Sequence, residues 1–137
     1  MRATNRSIGN RFEQELCALL SEKGFWVHAF AQNSAGQPAD VIAVKKGQSY
    51  LIDCKVCMGD RFPTSRIEEN QRYAMKRWCD CGNGVGLLAI KIHEAIYMIT
   101  IDALLDWDES ASVDEAWLME HGSTLNDWTR WVDLCVQ

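Results

Sequence analysis

No stretch of eighteen or more apolar residues occurs in the 137 residues, which excludes a hydrophobic membrane-spanning helix. The first 28 residues lack a positively charged start running into an unbroken apolar segment, because Glu13, Glu15, Glu22 and Lys23 interrupt it. No secretory leader is read there, and a cytoplasmic, soluble protein without membrane partners is expected. Internal repeats and low-complexity segments are absent too. The three histidines (His28, His93, His121) fall on separate segments with no metal-ligand spacing, and read as surface or core residues. Positive charge is also in deficit, 14 Lys and Arg against 19 Asp and Glu, for a formal net charge of -5. That balance argues against a nucleic-acid partner until it is divided along the chain. Residues 1–101 carry thirteen Lys and Arg against ten Asp and Glu, whereas residues 102–137 carry one against nine. A basic working surface is therefore concealed by the average, and the acidic tail is not expected to lie along phosphates.

What is present is an ordinary globular composition, 47% apolar and 24% charged, long enough to bury a core without staples. Three disulfides among Cys17, Cys54, Cys57, Cys79, Cys81 and Cys135 would need an oxidising compartment, so free thiols are expected. Cys54-x-x-Cys57 with Cys79-x-Cys81 suggests zinc or an iron-sulfur cluster. A spacing of three along a strand, however, sends Cys54 and Cys57 to opposite faces.

Ser7 ahead of Ile8, Phe12, Leu16, Leu19 and Leu20 predicts a helix over residues 8–23 that stops at Gly24. Residues 25–31 read as a strand, followed by a polar loop over 32–38 that contains Ser34. Residues 40–45 and 49–57 read as a hairpin turning at Lys46-Gly47. Ser65 and Glu68 have capping-box spacing for a helix to about residue 79, with Ile67, Gln71, Ala74, Met75 and Trp78 on one stripe. Residues 87–92 and 95–100 form a second strand pair around His93-Glu94. In the tail, Val113/Trp117 and Leu125/Trp128/Val132/Cys135 have helical spacing, so residues 102–137 are read as a helical, acidic, Trp-rich extension packed on the 1–101 domain. Trp107, Trp117, Trp128 and Trp131 there are expected to build packing or an interface. The order predicts an α/β fold with a mixed central sheet flanked by helices.

The chemistry concentrates on the first hairpin. A two-residue turn pairs Lys45 with Gln48 and sets Asp40 opposite Asp53; a three-residue turn would put Cys54 there instead. Two carboxylates roughly 5 Å apart repel unless a cation lies between them, and an oxygen-only donor set suits Mg²⁺ or Mn²⁺. Strand alternation brings Lys55 to the face of Asp53, an ammonium beside a metal ligand, as phosphodiester hydrolysis requires. On the first helix, Glu13 and Glu15 occupy opposite edges of the Phe12/Leu16 stripe, and periodicity does not choose between them. Gln71, an amide at an apolar-stripe position, needs polar partners; a site water, a ligand or a core hydrogen bond would each serve. Arg2, Arg6 and Arg11, read as a flexible amino-terminal arm, and Arg61, Arg66, Arg72, Lys76 and Arg77 around the second helix are candidate DNA-backbone contacts.

The strings Gly9-Asn10-Arg11-Phe12-Glu13-Gln14-Glu15-Leu16, Pro38-Ala39-Asp40-Val41-Ile42-Ala43 and Leu51-Ile52-Asp53-Cys54-Lys55, with Gln71 after them, resemble the PD-(D/E)XK nuclease superfamily. Within it the likeness is to Holliday junction resolvases of the archaeal (Hjc-like) and RecU types, over about residues 7–101. The resemblance implies a restriction-endonuclease-like fold and a Mg²⁺-dependent, structure-selective endonuclease acting at four-way junctions in recombination or repair. It implies that Glu13, Asp40, Asp53 and the Cys54 carbonyl hold one or two Mg²⁺ (or Mn²⁺) ions. Lys55 would assist the water, Gln71 border the site, Ser34 lie near the scissile phosphate, and two subunits form a homodimer. The chain departs from the motif in having Ala39 between Pro38 and Asp40, and Asp53 rather than Glu before the lysine. Other readings are a nuclease of the same fold acting on linear duplex or flaps, a non-catalytic junction-binding module, and a zinc or redox adaptor using the cysteines.

Overall fold

The computed structural model describes residues 4–31, 39–106 and 112–135. Helix α1 (Asn5–Glu22) starts earlier than the sequence suggests, because Thr4, not Ser7, is its N-cap: the Thr4 Oγ1 accepts the Ser7 N–H at 3.1 Å. Arg6 and Arg11 consequently lie on α1 and not on a flexible arm. The helix ends at Gly24, at φ +90.

Strands β1 (Trp26–Ala29), β2 (Val41–Lys45) and β3 (Gln48–Cys57) follow as an antiparallel meander. Lys46 and Gly47 both have positive φ, 51 and 81, the backbone of a two-residue type I′ turn. Lys45 pairs with Gln48 and Val41 with Ile52. Asp40 lies just before β2 in a bend, where its N–H donates to the Ile52 carbonyl, so the regular ladder stops short of the Asp40–Asp53 pair that the two-residue turn predicts. The short β4 (Arg61–Pro63) and one 3-10 turn (Thr64–Arg66) lead into α2 (Glu69–Asp80). The capping box of α2 is made by Glu68 and Gln71, not by Ser65 and Glu68: residues 64–66 are spent on the 3-10 turn, and the box falls three positions later.

Strand β5 (Leu87–Ile92) returns parallel to β3, and β6 (Ala95–Thr100) pairs antiparallel with β5. Then come α3 (Ile101–Leu105), β7 (Ser112–Asp114), α4 (Glu115–His121), β8 (Ser123–Thr124) and α5 (Leu125–Cys135). Val113 is thus in a strand paired with β4, not on a helix with Trp117, so the tail is not purely helical. The mixed sheet has the order β1-β2-β3-β5-β6-β8. Alternation along β5 explains the two-sided core. Leu88, Ile90 and Ile92 face α2, α3 and α4, while Leu87 and Ala89 face α1 and α5. Trp117 and Trp128 are buried, Trp131 is exposed, and Trp107 lies outside the described residues. All six cysteines are free thiols, and no helix among the described residues is long and apolar enough to cross a membrane.

Candidate active site

Alternation along β3 aligns Leu51, Asp53, Lys55 and Cys57 on the face that receives α2. Asp53 is only 1% exposed. Its Oδ2 lies 3.1 Å from Lys55 Nζ, and its Oδ1 accepts a hydrogen bond from Gln71 Nε2 at 2.8 Å. The Gln71 amide has no freedom to turn over. Its Oε1 accepts from the Glu68 main-chain N–H at 3.2 Å and from Lys55 Nζ at 3.3 Å, so Nε2 must face Asp53. The cap of α2 therefore orients a site residue.

Asp40 is locked from three sides. Its N–H donates to the Ile52 carbonyl, its carbonyl accepts from Phe30 N–H, and its Oδ2 accepts the Cys54 N–H at 2.7 Å. Glu13 and Asp40 are each 9% exposed, and both Glu13 and Asp53 interact with the Asp40 carboxyl. Glu15 instead is exposed and ion-pairs Lys91 at 2.7 Å, while Glu13 is the glutamate that neighbours Asp40.

Electrostatics follow from crowding three acids against one ammonium. Burial, and then the neighbouring Asp40, push the Glu13 carboxyl up to about 7. Burial and Asp40 hold Asp53 well above the usual carboxylate range, although Lys55 opposes them. The Cys54 thiol is also pushed well up, by burial and by Asp40, Asp53 and Glu13. Asp53 Oδ2 is a buried oxygen that receives no well-formed hydrogen bond, despite its proximity to Lys55. This donor set, hard carboxylate oxygens short of positive charge, fits a hard divalent cation. As the side chains stand, no three His, Cys, Asp or Glu groups among the described residues close around a common metal position. Asp40 is engaged with Cys54 N–H, and Asp53 with Gln71 and Lys55.

The basic candidates divide. Arg66 is held by the Val56 carbonyl at 2.6 Å and stacked over Phe62, whereas Arg61 is turned toward Ser112 and Asp114. Arg72 is exposed on α2, and Lys76 pairs with Asp80 at 2.8 Å. Arg6 and Arg11 are exposed on α1; Arg2 and Ser34 lie outside the described residues. Sequence reasoning missed the ordering of Arg66 by β3 and Phe62, which has no local signature. It also missed the cap linking Glu68 to Gln71, for which the signal was present as a Glu-x-x-Gln string three positions from the box that it chose.

The chain matches the family model of the archaeal Holliday junction resolvase (Hjc) over residues 4–133, well beyond the 7–101 span of the sequence resemblance. Among solved structures it is similar to Archaeoglobus fulgidus Hjc, a Holliday junction resolvase from an archaeal hyperthermophile. The TM-score is 0.71 at 18% identity, covering 88% of this chain and 99% of that one. It is also similar to a bacterial homing endonuclease, with a TM-score of 0.65 at 10% identity over 96% of this chain and 94% of that one. These two likenesses show a shared restriction-endonuclease-like fold. No curated protein matches the sequence.

Proposed function

This chain belongs to the archaeal Holliday junction resolvase family, and on that premise we propose that it is a divalent-metal-dependent endonuclease that nicks opposed strands of four-way DNA junctions. The observation that carries it is the buried Asp53, set between Lys55 and Gln71 and adjoining Asp40, which adjoins Glu13.

Glu13, Asp40 and Asp53, with the Cys54 carbonyl, would hold one or two Mg²⁺ or Mn²⁺ ions. Bound there, such an ion lowers the pKa of a water and stabilises charge on the phosphate. Lys55 Nζ orients the attacking water or donates to a non-bridging phosphate oxygen as negative charge develops. Gln71 holds the Asp53 carboxylate in one orientation, and Asp40, itself held by three backbone groups, keeps the acids in register. Water attacks phosphorus and the 3′ oxygen leaves, giving a 5′-phosphate and a 3′-hydroxyl. Arg6, Arg11, Arg61, Arg66, Arg72 and Lys76, with Arg2, are proposed phosphate contacts, and Ser34 a neighbour of the scissile phosphate. Two symmetric strands need two sites, which a homodimer supplies. Cytoplasmic work in recombination or repair suits this chemistry.

The test is purified protein with a labelled immobile four-way junction or a matched linear duplex, in Mg²⁺ or EDTA, beside an Asp53→Asn variant. Paired nicks on the junction alone, lost in EDTA and in the variant, are expected. Equal cutting of linear duplex would remove the junction selectivity, and binding without cleavage in any metal would make the chain a non-catalytic junction-binding module.

A further inference from the structure

The chain has nine glycines, and most of the described ones have a reason in the fold. Gly24, Gly47 and Gly82 take positive φ. At Gly86 a Cβ would meet the Met75 side chain at 2.4 Å, and at Gly122 the Met98 carbonyl at 2.7 Å. Gly9, Gly59 and Gly84 have neither reason: their φ is not left-handed, and a Cβ on any of them would meet nothing within 4 Å. Gly9 also sits inside α1, where glycine is the poorest helix former short of proline.

Of these three, Gly9 and Gly59 line one cleft of about 400 Å³ between the start of α1 and the β3–β4 connection. Cys54, Val56 and Arg66 line it as well. The cleft adjoins the acid cluster at both walls. Gly9 is one helical turn before Glu13, and Cys54 donates its N–H to Asp40 while its thiol lies within electrostatic reach of Glu13, Asp40 and Asp53. Arg66 pairs with no acid among the described residues, and its guanidinium is fixed by the Val56 carbonyl and the Phe62 ring. Ile8, Val56 and Pro63 supply apolar wall.

We propose that this cleft seats the sugar-phosphate backbone of the cleaved DNA strand beside the scissile bond, with Gly9 and Gly59 clearing its walls and Arg66 taking a phosphate. This rests on the nuclease reading above. Close approach of a nucleic-acid backbone explains two glycines that neither conformation nor internal packing requires. Sugars lie against the apolar wall, and the phosphate meets a guanidinium that loses little freedom on binding.

The experiment compares wild type, Gly9→Ala, Gly9→Leu and Gly59→Leu, with Gly84→Leu as a control. Gly84 also has open space around its Cβ position but lines a different cavity, with Tyr50 and Trp128. Melting temperature and affinity for a fluorescent four-way junction in EDTA are measured for each, together with cleavage in Mg²⁺. Gly9→Ala should melt about 3 °C higher, as a helix gains from losing a glycine. Gly9→Leu and Gly59→Leu should bind and cut about tenfold more weakly, with Gly84→Leu unchanged. The opposite signs for stability and binding at Gly9 would not arise from a structural role. Wild-type affinity in both leucine variants overturns the cleft proposal alone. A wild-type protein that neither binds nor cuts any DNA overturns the nuclease reading and the cleft together.

Discussion

Gln71 joins the α2 cap to the candidate site. Its Oε1 serves the Glu68 N–H and Lys55, which leaves Nε2 for Asp53 Oδ1 at 2.8 Å. Gln71→Ala therefore removes a cap and a carboxylate partner together. It should lower stability by about 1 to 2 kcal/mol and slow cleavage about tenfold, read by thermal melting and single-turnover cleavage. Gln71→Glu separates the two roles, because a glutamate oxygen still accepts the Glu68 N–H but donates nothing to Asp53. Cleavage should be at least as slow as in the alanine variant, and the added carboxylate facing buried Asp53 should make the melting temperature of Gln71→Glu fall as pH rises through neutrality. Wild-type cleavage by Gln71→Glu would mean that the amide only caps the helix. The need of this residue for polar partners was legible in the sequence, since an amide on the stripe of Ile67 and Met75 had to meet something polar. Which partners it meets depends on where β3 packs, and a helical stripe carries no information on that.

Elements were legible where local chemistry leaves one solution. Lys46-Gly47 permits a two-residue turn, and that turn sets the β2–β3 register from Lys45/Gln48 to Val41/Ile52, next to which Asp40 and Asp53 lie. The starts of α1 and α2 were misplaced by about one turn because Thr4 competes with Ser7, and Glu68 with Ser65, and the winner is decided by how the preceding chain arrives. The β4/β7 ribbon escaped notice because three residues are too few for a period. Near that ribbon His93, in the left-handed turn between β5 and β6, bridges Asp60 at 2.7 Å and Glu115 at 2.9 Å, and Glu115 also accepts the Tyr97 hydroxyl. These contacts fasten the start of α4 to the sheet. Hydrogen bonds to Glu115 and Asp60 raise the His93 pKa above 6.5, and bonds from Tyr97 and His93 lower that of Glu115 below 4.5. A raised imidazolium contributes stability that is complete below 6.5 and is lost as pH rises through its folded value. A lowered carboxylate contributes above 4.5 and loses it as pH falls through its folded value. The clasp is at full strength between those two values. Melting of wild type and His93→Asn at about pH 6 and pH 8.5 should show a gap that narrows at the higher pH. Asparagine tolerates the φ of 48 at this position, so backbone strain does not confuse the comparison. A gap independent of pH would remove the charge from the explanation.

At the scale of the whole molecule, charge and helical spacing indicated a folded acidic tail but not where it packs. Strand β8 completes the sheet beside β6, and α5 buries Leu125, Trp128 and Val132 in the same cluster as Phe12, Leu16 and Leu20 of α1. Trp128 stacks on Phe25 with centroids 5.6 Å apart and meets Tyr50 edge-on at 5.1 Å, so the tail shares the core of the hairpin that carries Asp40 and Asp53. Lys45, at the end of β2, reaches across to Asp133 on α5 at 2.5 Å and adds a polar tie at the rim. Residues so far apart in sequence leave no shared period to read, whereas the helical spacing of Leu125, Trp128 and Val132 was visible. The consequence concerns cooperativity. If the acidic segment were an appendage, Trp128→Ala would melt it early and leave the nuclease fold intact. Because the core is shared, Trp128→Ala should instead cost about 3 to 5 kcal/mol and lower one single transition, seen alike by circular dichroism and by loss of junction cleavage on heating. Trp131→Ala, three residues on and 53% exposed, should change stability by no more than about 0.5 kcal/mol. Two separated transitions in the Trp128 variant would show that the tail folds independently of the sheet that carries the site.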